Sequence, residues 1–315
     1  MEETISTPPE IARPRRWSTF FAAVKENPVI LKELRKRMRG RQAYILLFVY
    51  LVVISLFMSL IYGAVLLNSS NNFRWDPQSR QALGKGIFGT IVLTELLLIT
   101  LISPALTSGA ISSERERQTL DLLRTTLLSA RALVLGKLGS AFSFIFLLIF
   151  SAVPLQSLAF LLGGVGMVEL IISSLLMTVT AFFFCSLGLF FSSFLKRTSI
   201  ANVAAYAVIV VSTITIGIAF FVMSAFGSSS LFGRVPDEVR AVAMLFFVST
   251  NPLLTAIYSE VLLIDSQSVF FTTSGVLGST PFPLPSPWIS FTIIYLLISV
   301  VMILLSIQFV KRPDR

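Results

Sequence analysis

The chain contains no histidine. Ser-His-Asp triads, imidazole metal sites and histidine proton relays are therefore excluded. Its one cysteine, Cys185, sits inside an apolar run. No disulfide framework and no cysteine cage for a metal can form within one chain, and a buried structural thiol is the expected role. A phosphate-cradling Gly-x-x-x-x-Gly-Lys-Ser/Thr loop is missing too. The two Gly-Lys pairs, Gly84-Lys85 and Gly136-Lys137, have Ser79 and Arg131 where the first glycine would stand. Apart from Glu95 the acidic residues lie at ends and in loops, and none pairs with a second carboxylate at the helical spacing a metal-assisted hydrolase needs. Charged residues make up only 13% of the chain, and its first 42 residues hold neither an early apolar core nor a small-residue cleavage site. A cleaved signal peptide is not expected. The chain thus offers no catalytic, metal-binding or cofactor-binding set, and no enzyme is expected.

What the chain has instead is apolar length. It is 55% hydrophobic, with mean hydropathy +0.84, far more than a soluble fold of 315 residues needs. A bilayer core of about 30 Å takes about 20 helical residues to cross. Six runs of 23 residues or more qualify: Ala43–Leu67, Ile87–Ile111, Leu138–Leu162, Met167–Leu195, Ile200–Phe226 and Trp288–Val310. A β-barrel would show strict alternation over segments of roughly 10 residues, which "AYILLFVYLVVISLFMSLIY" lacks. The expected fold is an all-α integral membrane protein with six transmembrane helices.

Lysine and arginine mark the cytoplasmic side of short loops. With both termini inside, twenty of the 25 basic residues are cytoplasmic and five are outside. Val239–Ile264 competes as a seventh span, but counting it weakens the asymmetry to 17 against 8. Asn251-Pro252 also breaks that stretch, since Pro donates no hydrogen bond and disfavours helix in the residue before it. Two short helices, Asp237–Val248 and Leu253–Ile264, are expected as a hairpin lying on the outer face or dipping into it. Beyond them "PFPLPSPW" places Pro at every second position, which favours a stiff extended connection. The outer loop spans 227–287.

Residues 1–24 read as a disordered cytosolic tail. Residues 25–42 read as an amphipathic interfacial helix, with Val29, Ile30, Leu31, Leu34 and Met38 on an apolar face and Lys32, Arg35, Lys36, Arg37 and Arg39 turned to anionic lipid. The six-span domain is 43–315. Within it Glu95 is the only charge well inside a span, eight residues or about 12 Å from its outer end. It is either a pathway or gating residue or a hydrogen-bonded packing group.

Between the second and third spans stands "ISSERERQTLDLLRTTLLSARALVLGK", Ile111 to Lys137. Ser113 followed by Glu116 reads as a capping box, and Leu120, Leu123 and Leu127 form an apolar stripe with Leu122 beside it. A helix this short is marginal alone in water, so its stripe is expected to be buried on the membrane or on a cytosolic partner. This stretch, preceded by the basic "NPVILKELRKR", resembles the membrane subunits of ATP-binding-cassette exporters, the ABC type 2 permeases. Members commonly carry Gly where Gln118 stands and Pro where Leu127 stands. The resemblance implies that Glu114, Arg115, Glu116, Thr119, Leu120, Leu122 and Leu123 form a coupling helix that docks on a separate ABC ATPase subunit, the binder of ATP and Mg. It also makes Asn27–Arg39 the family's elbow helix. Two permease copies or homologues would face each other around the path, in the plasma membrane of a prokaryote. The rival readings are a secondary transporter or channel using Glu95, and a membrane anchor for a cytosolic ATPase.

Overall fold

The structure, a computed structural model, describes residues 33–35, 37–68, 77–119, 129–227, 237–265, 269–272 and 283–311. The tail 1–24, most of the expected elbow helix, and Leu120, Leu122 and Leu123 lie outside the described residues. Among the described residues, six helices are long and apolar enough to cross a membrane. They are α1 (Arg41–Asn68), α2 (Pro77–Thr107), α4 (Ala130–Leu162), α5 (Met167–Phe194), α6 (Thr198–Gly227) and α9 (Pro287–Lys311), with a short α3 (Ser112–Glu116) after α2. The chain runs up and down, so one end of the bundle collects Arg41, Arg115, Lys137, Lys196 and Lys311. We call it the basic end.

All six expected spans are present, yet α2 begins ten residues and α4 eight residues before the apolar runs predicted them. Hydropathy marks the part of a helix that sits in hydrocarbon. The helix itself continues past it as long as each amide finds its carbonyl four residues back.

The apolar stretch of α5 is 67% buried and that of α2 56%, against 11% for α1. These two helices form the centre of the bundle, and α1 and α6 are peripheral. Glycines allow the close approach, as small residues do between membrane helices. A Cβ on Gly188 of α5 would lie 2.2 Å from the Thr107 hydroxyl and 3.0 Å from the Pro104 Cα of α2. At the other end Gly163 and Gly164, both at positive φ, turn the chain from α4 into α5 against Gln81 and Gly84. Buried hydroxyls in α2 bond back along the helix, Thr100 to Leu96, Ser103 to Ile99 and Thr107 to Ser103. Few polar groups are thereby left needing water in the dry interior. On the far side of α5, Phe183 packs on Tyr295 of α9 with ring centroids 4.3 Å apart and planes tilted by 46°, and Tyr295 also packs on Phe291. Cys185 is fully buried in α5.

The stretch that competed as a seventh span is two helices, α7 (Asp237–Ser249) and α8 (Pro252–Asp265), within one residue of the expected bounds. Asn251 restarts the helix by accepting hydrogen bonds from the Leu253 and Leu254 amides at 2.9 and 3.3 Å, with Pro252 at the first helical position. The same side chain donates to the Ser212 carbonyl at 2.7 Å, in the middle of α6. The Tyr295 hydroxyl, eight residues into α9, donates to the Thr250 carbonyl at 2.8 Å. The turn between α7 and α8 is therefore tied to the middle of α6 and to α9 at points inside the ends of those helices. Past α8, Leu284-Pro285 (β2) is extended as its prolines require and pairs antiparallel with Phe271-Thr272 (β1).

Candidate functional site

The basic end is organised by α3, whose charged residues bond to the neighbouring helices. Lys137, two turns into α4 and only 4% exposed, reaches Glu114 at 2.6 Å and Glu33 at 3.2 Å. Glu33 belongs to the described part of the expected elbow helix, where Glu33–Arg35 and Arg37–Met38 are helical and Arg39–Gly40 turn into α1. Arg37, assigned to the lipid-facing cationic side by its spacing, instead donates to the Leu106 carbonyl in the last turn of α2 at 2.8 Å. Burial lowers the Arg37 guanidinium from its ordinary value, against the opposing pull of Glu33.

The expected capping box is not formed. Ser113 lies within α3 and its hydroxyl donates back to the Gly109 carbonyl. The Ile111 and Ser112 amides, which a cap would serve, both donate to the Ser192 hydroxyl of α5 at 2.8 and 3.0 Å. The Glu116 carboxylate serves a different helix, accepting from the Thr198 amide at 2.8 Å and the Thr198 hydroxyl at 3.0 Å. It thus caps the N-terminus of α6, where negative charge is favoured. Arg115 points to the Ser193 and Leu195 carbonyls at the C-terminus of α5 at 3.4 and 3.3 Å. Continuous with α2, α3 is tied by side chains to α4, α5 and α6.

The helix ends at once. The Gln118 amide bonds to the Arg115 carbonyl and the Thr119 amide to the Glu114 carbonyl, the paired closure of a Schellman turn, with Gln118 at φ 56°. Thr119 adds a hydroxyl bond to the Glu114 carbonyl at 3.1 Å. Left-handed backbone costs a residue with a Cβ roughly 1–2 kcal/mol, while glycine adds chain entropy of roughly 0.5–1 kcal/mol. Gln118→Gly should therefore raise stability by up to about 1 kcal/mol, and Gln118→Val, β-branched at a position needing positive φ, should lower it by more than that. Thermal unfolding of the detergent-purified chain measures both, and equal midpoints for the two variants would refute the strain.

Glu95 is fully buried between three helices. One oxygen accepts from the Tyr50 hydroxyl of α1 at 2.8 Å, the other from the Gln156 amide of α4 at 2.9 Å. Sequence spacing singles out Glu95 but neither donor. It passes over Lys137 as well, because the Gly-Lys pair fails as a phosphate loop and the apolar run begins one residue later. The usable signal is a lysine inside a helix with carboxylates in reach.

These features define a multi-pass, almost wholly helical membrane protein whose charged end is joined by one short helix. The sequence profile of the ABC-2 family transporter proteins matches residues 28–312, and the chain belongs to that family. It is a membrane permease component of a transporter. A comparison with curated proteins gave no match.

Proposed function

We propose that the chain is the membrane-spanning subunit of an ATP-driven exporter, moved by ATP hydrolysis in a separate ABC ATPase subunit that holds the ATP and Mg. The observation that carries the reading is the joining of α3 to four spans: continuity with α2, Glu114 on Lys137 of α4, Arg115 and Ser192 at the end of α5, and Glu116 on Thr198 of α6. A push on this segment reaches all four at once, which is what an element transmitting motion from a cytosolic partner requires. Glu114, Arg115, Glu116 and Thr119 form the rigid root, and Leu120, Leu122 and Leu123 supply the docking stripe. The excess of basic residues at this end supports a cytoplasmic location for it and for both termini, in a prokaryotic plasma membrane. Two copies or homologues enclose the path, and the α7–α8 hairpin re-enters from the outer side.

Leu123→Asp tests this. A charge placed in a dry docking stripe costs several kcal/mol, so copurification of the ATPase should fall by more than about tenfold. Membrane insertion and self-association should be unchanged. Undiminished ATPase association would refute the docking, above all if the change released the loop from lipid vesicles instead.

A further inference from the structure

At the basic end, the helical residues before α1, the first turns of α1, the end of α2 and the middle of α4 surround a recess of about 570 Å3. That lies within the range of roughly 300–1,000 Å3 usual for ligand sites. Its lining is divided in chemistry. Ala43 and Leu46 of α1, Leu106 of α2 and Phe144 of α4 are apolar, while Glu33, Arg37 and Gly40 supply charge and bare backbone. Phe144 stands about two turns further along α4 than Lys137, whose amine meets Glu33. The recess thus leads from charge into the apolar body of the bundle. Arg37 is the group in it left with charge to satisfy. It is half-buried, and among the described residues its hydrogen bond goes to the neutral Leu106 carbonyl. No carboxylate among them pairs with it, since Glu33 is engaged with Lys137 at 3.2 Å. A cation withdrawn from water without a counter-ion is costly. The guanidinium fork presents further N–H donors in the geometry that suits a phosphate.

We propose that this recess holds one anionic phospholipid of the leaflet at the basic end, with its phosphate on Arg37 and the start of an acyl chain over Ala43, Leu46, Leu106 and Phe144. Lipid is the occupant at hand, because the apolar stretch of α1 is only 11% buried and the bilayer therefore reaches this side of the bundle. A free phosphate would leave the apolar lining uncovered, and an uncharged amphiphile would leave Arg37 without a counter-ion. An anionic headgroup is favoured over a zwitterionic one, because the exposed Arg39 and Arg41 flank Gly40 of the lining and repel a second positive group such as choline. The bound lipid joins the residues before α1 to α2 and α4, alongside the Lys137 ion pairs. The site is a property of this chain and does not rest on its coupling to an ATPase.

The test is titration of the full chain, purified in detergent and stripped of lipid, with dioleoylphosphatidylglycerol, dioleoylphosphatidylcholine or sodium phosphate, read by native mass spectrometry and thermal unfolding. Phosphatidylglycerol should be retained as one tightly held molecule per chain and raise the unfolding midpoint. Phosphatidylcholine should bind more weakly, and phosphate alone should do neither. Arg37→Gln should weaken phosphatidylglycerol binding by more than about tenfold, the loss of a charged hydrogen bond. That variant also alters the bond to the Leu106 carbonyl, so Ala43→Phe is the second arm. It fills the recess and leaves Arg37 in place, so it should weaken binding while the midpoint of the lipid-free chain stays unchanged or rises. Arg39→Gln removes an exposed charge and should weaken binding less than about twofold. Equal binding of the two lipids, equal stabilisation by phosphate alone, or wild-type affinity in Arg37→Gln or Ala43→Phe would overturn the site. Equal losses in Arg39→Gln and Arg37→Gln would overturn it too, in favour of diffuse surface charge.

Discussion

Glu95→Ala is expected to destabilise the bundle by about 2–4 kcal/mol. Single interhelical hydrogen bonds in membrane proteins average only about 0.6 kcal/mol, so Tyr50→Phe or Gln156→Leu alone should cost about 1 kcal/mol each. Alanine costs more, because each of those variants orphans a single Glu95 oxygen whereas alanine orphans two donors at once, the Tyr50 hydroxyl and the Gln156 amide, facing a fully buried gap. Orphaned donors of that sort cost about 1–3 kcal/mol apiece, and the missing side-chain volume adds to them. Glu95→Gln keeps the shape. Its amide oxygen accepts from Tyr50, its NH2 donates to the Gln156 carbonyl once that amide turns over, and the cost should be under about 1.5 kcal/mol. Thermal unfolding of purified protein separates these values, and a Glu95→Ala midpoint equal to wild type would refute the hub. Transport and stimulated ATPase rates in Glu95→Gln then divide the two roles open for this residue. Wild-type rates make it a packing group tying α1, α2 and α4. Lost transport in a stably folded protein makes its charge part of the path.

The spans were legible because lipid demands a single pattern, a run of apolar residues long enough to cross. Alternation of basic residues across the six spans ordered them without any tertiary information. Asn251-Pro252 announced the break between α7 and α8, since one residue caps the new helix and the other opens it. The depth of that hairpin was not legible. It depends on Asn251 meeting Ser212 and Tyr295 meeting Thr250, pairs about 40 or more residues apart that no local pattern encodes. The charged stretch after α2 shows the same division. Its acidic and basic residues stand out as a set, but spacing within the stretch suggests a self-capped helix, whereas Glu116 caps α6 and Ser192 of α5 caps α3. Residues distant in sequence fill the roles that spacing assigns to near neighbours. Gln118 is the reverse case, where a departure from glycine at one position acquires meaning only once the backbone there is known to be left-handed.

Lys137→Met is expected to have the largest effect at the basic end. Lys137 is almost wholly buried, while Glu33 and Glu114 keep about a quarter of their side-chain surface, 27% and 22%. Among the described residues one Glu114 oxygen is buried without a partner, so the lysine is what holds this carboxylate in place. Removing one member of a buried ion pair costs about 3–5 kcal/mol, mostly as charge left behind. Partial exposure of both glutamates lets water recover some of that, and about 2–4 kcal/mol is expected. Methionine keeps most of the stem volume, so packing loss is a minor part. The charge argument is separable from packing by Lys137→Met/Glu33→Gln/Glu114→Gln, in which no charge remains. Replacing a whole buried ionic group by neutral residues is often neutral or stabilising, so the triple variant should recover more than half of the lost midpoint. If it unfolds as early as Lys137→Met alone, the ionic account is wrong and the lysine acts through its shape. The recovered triple variant is also the sharper probe of transmission, since it is stable but lacks the strong tie from α3 to α4 and the elbow segment. Reduced transport per ATP hydrolysed, at unchanged ATPase association, is the expected result. Wild-type transport efficiency would mean that the proposed transmission does not run through the tie from α3 to α4.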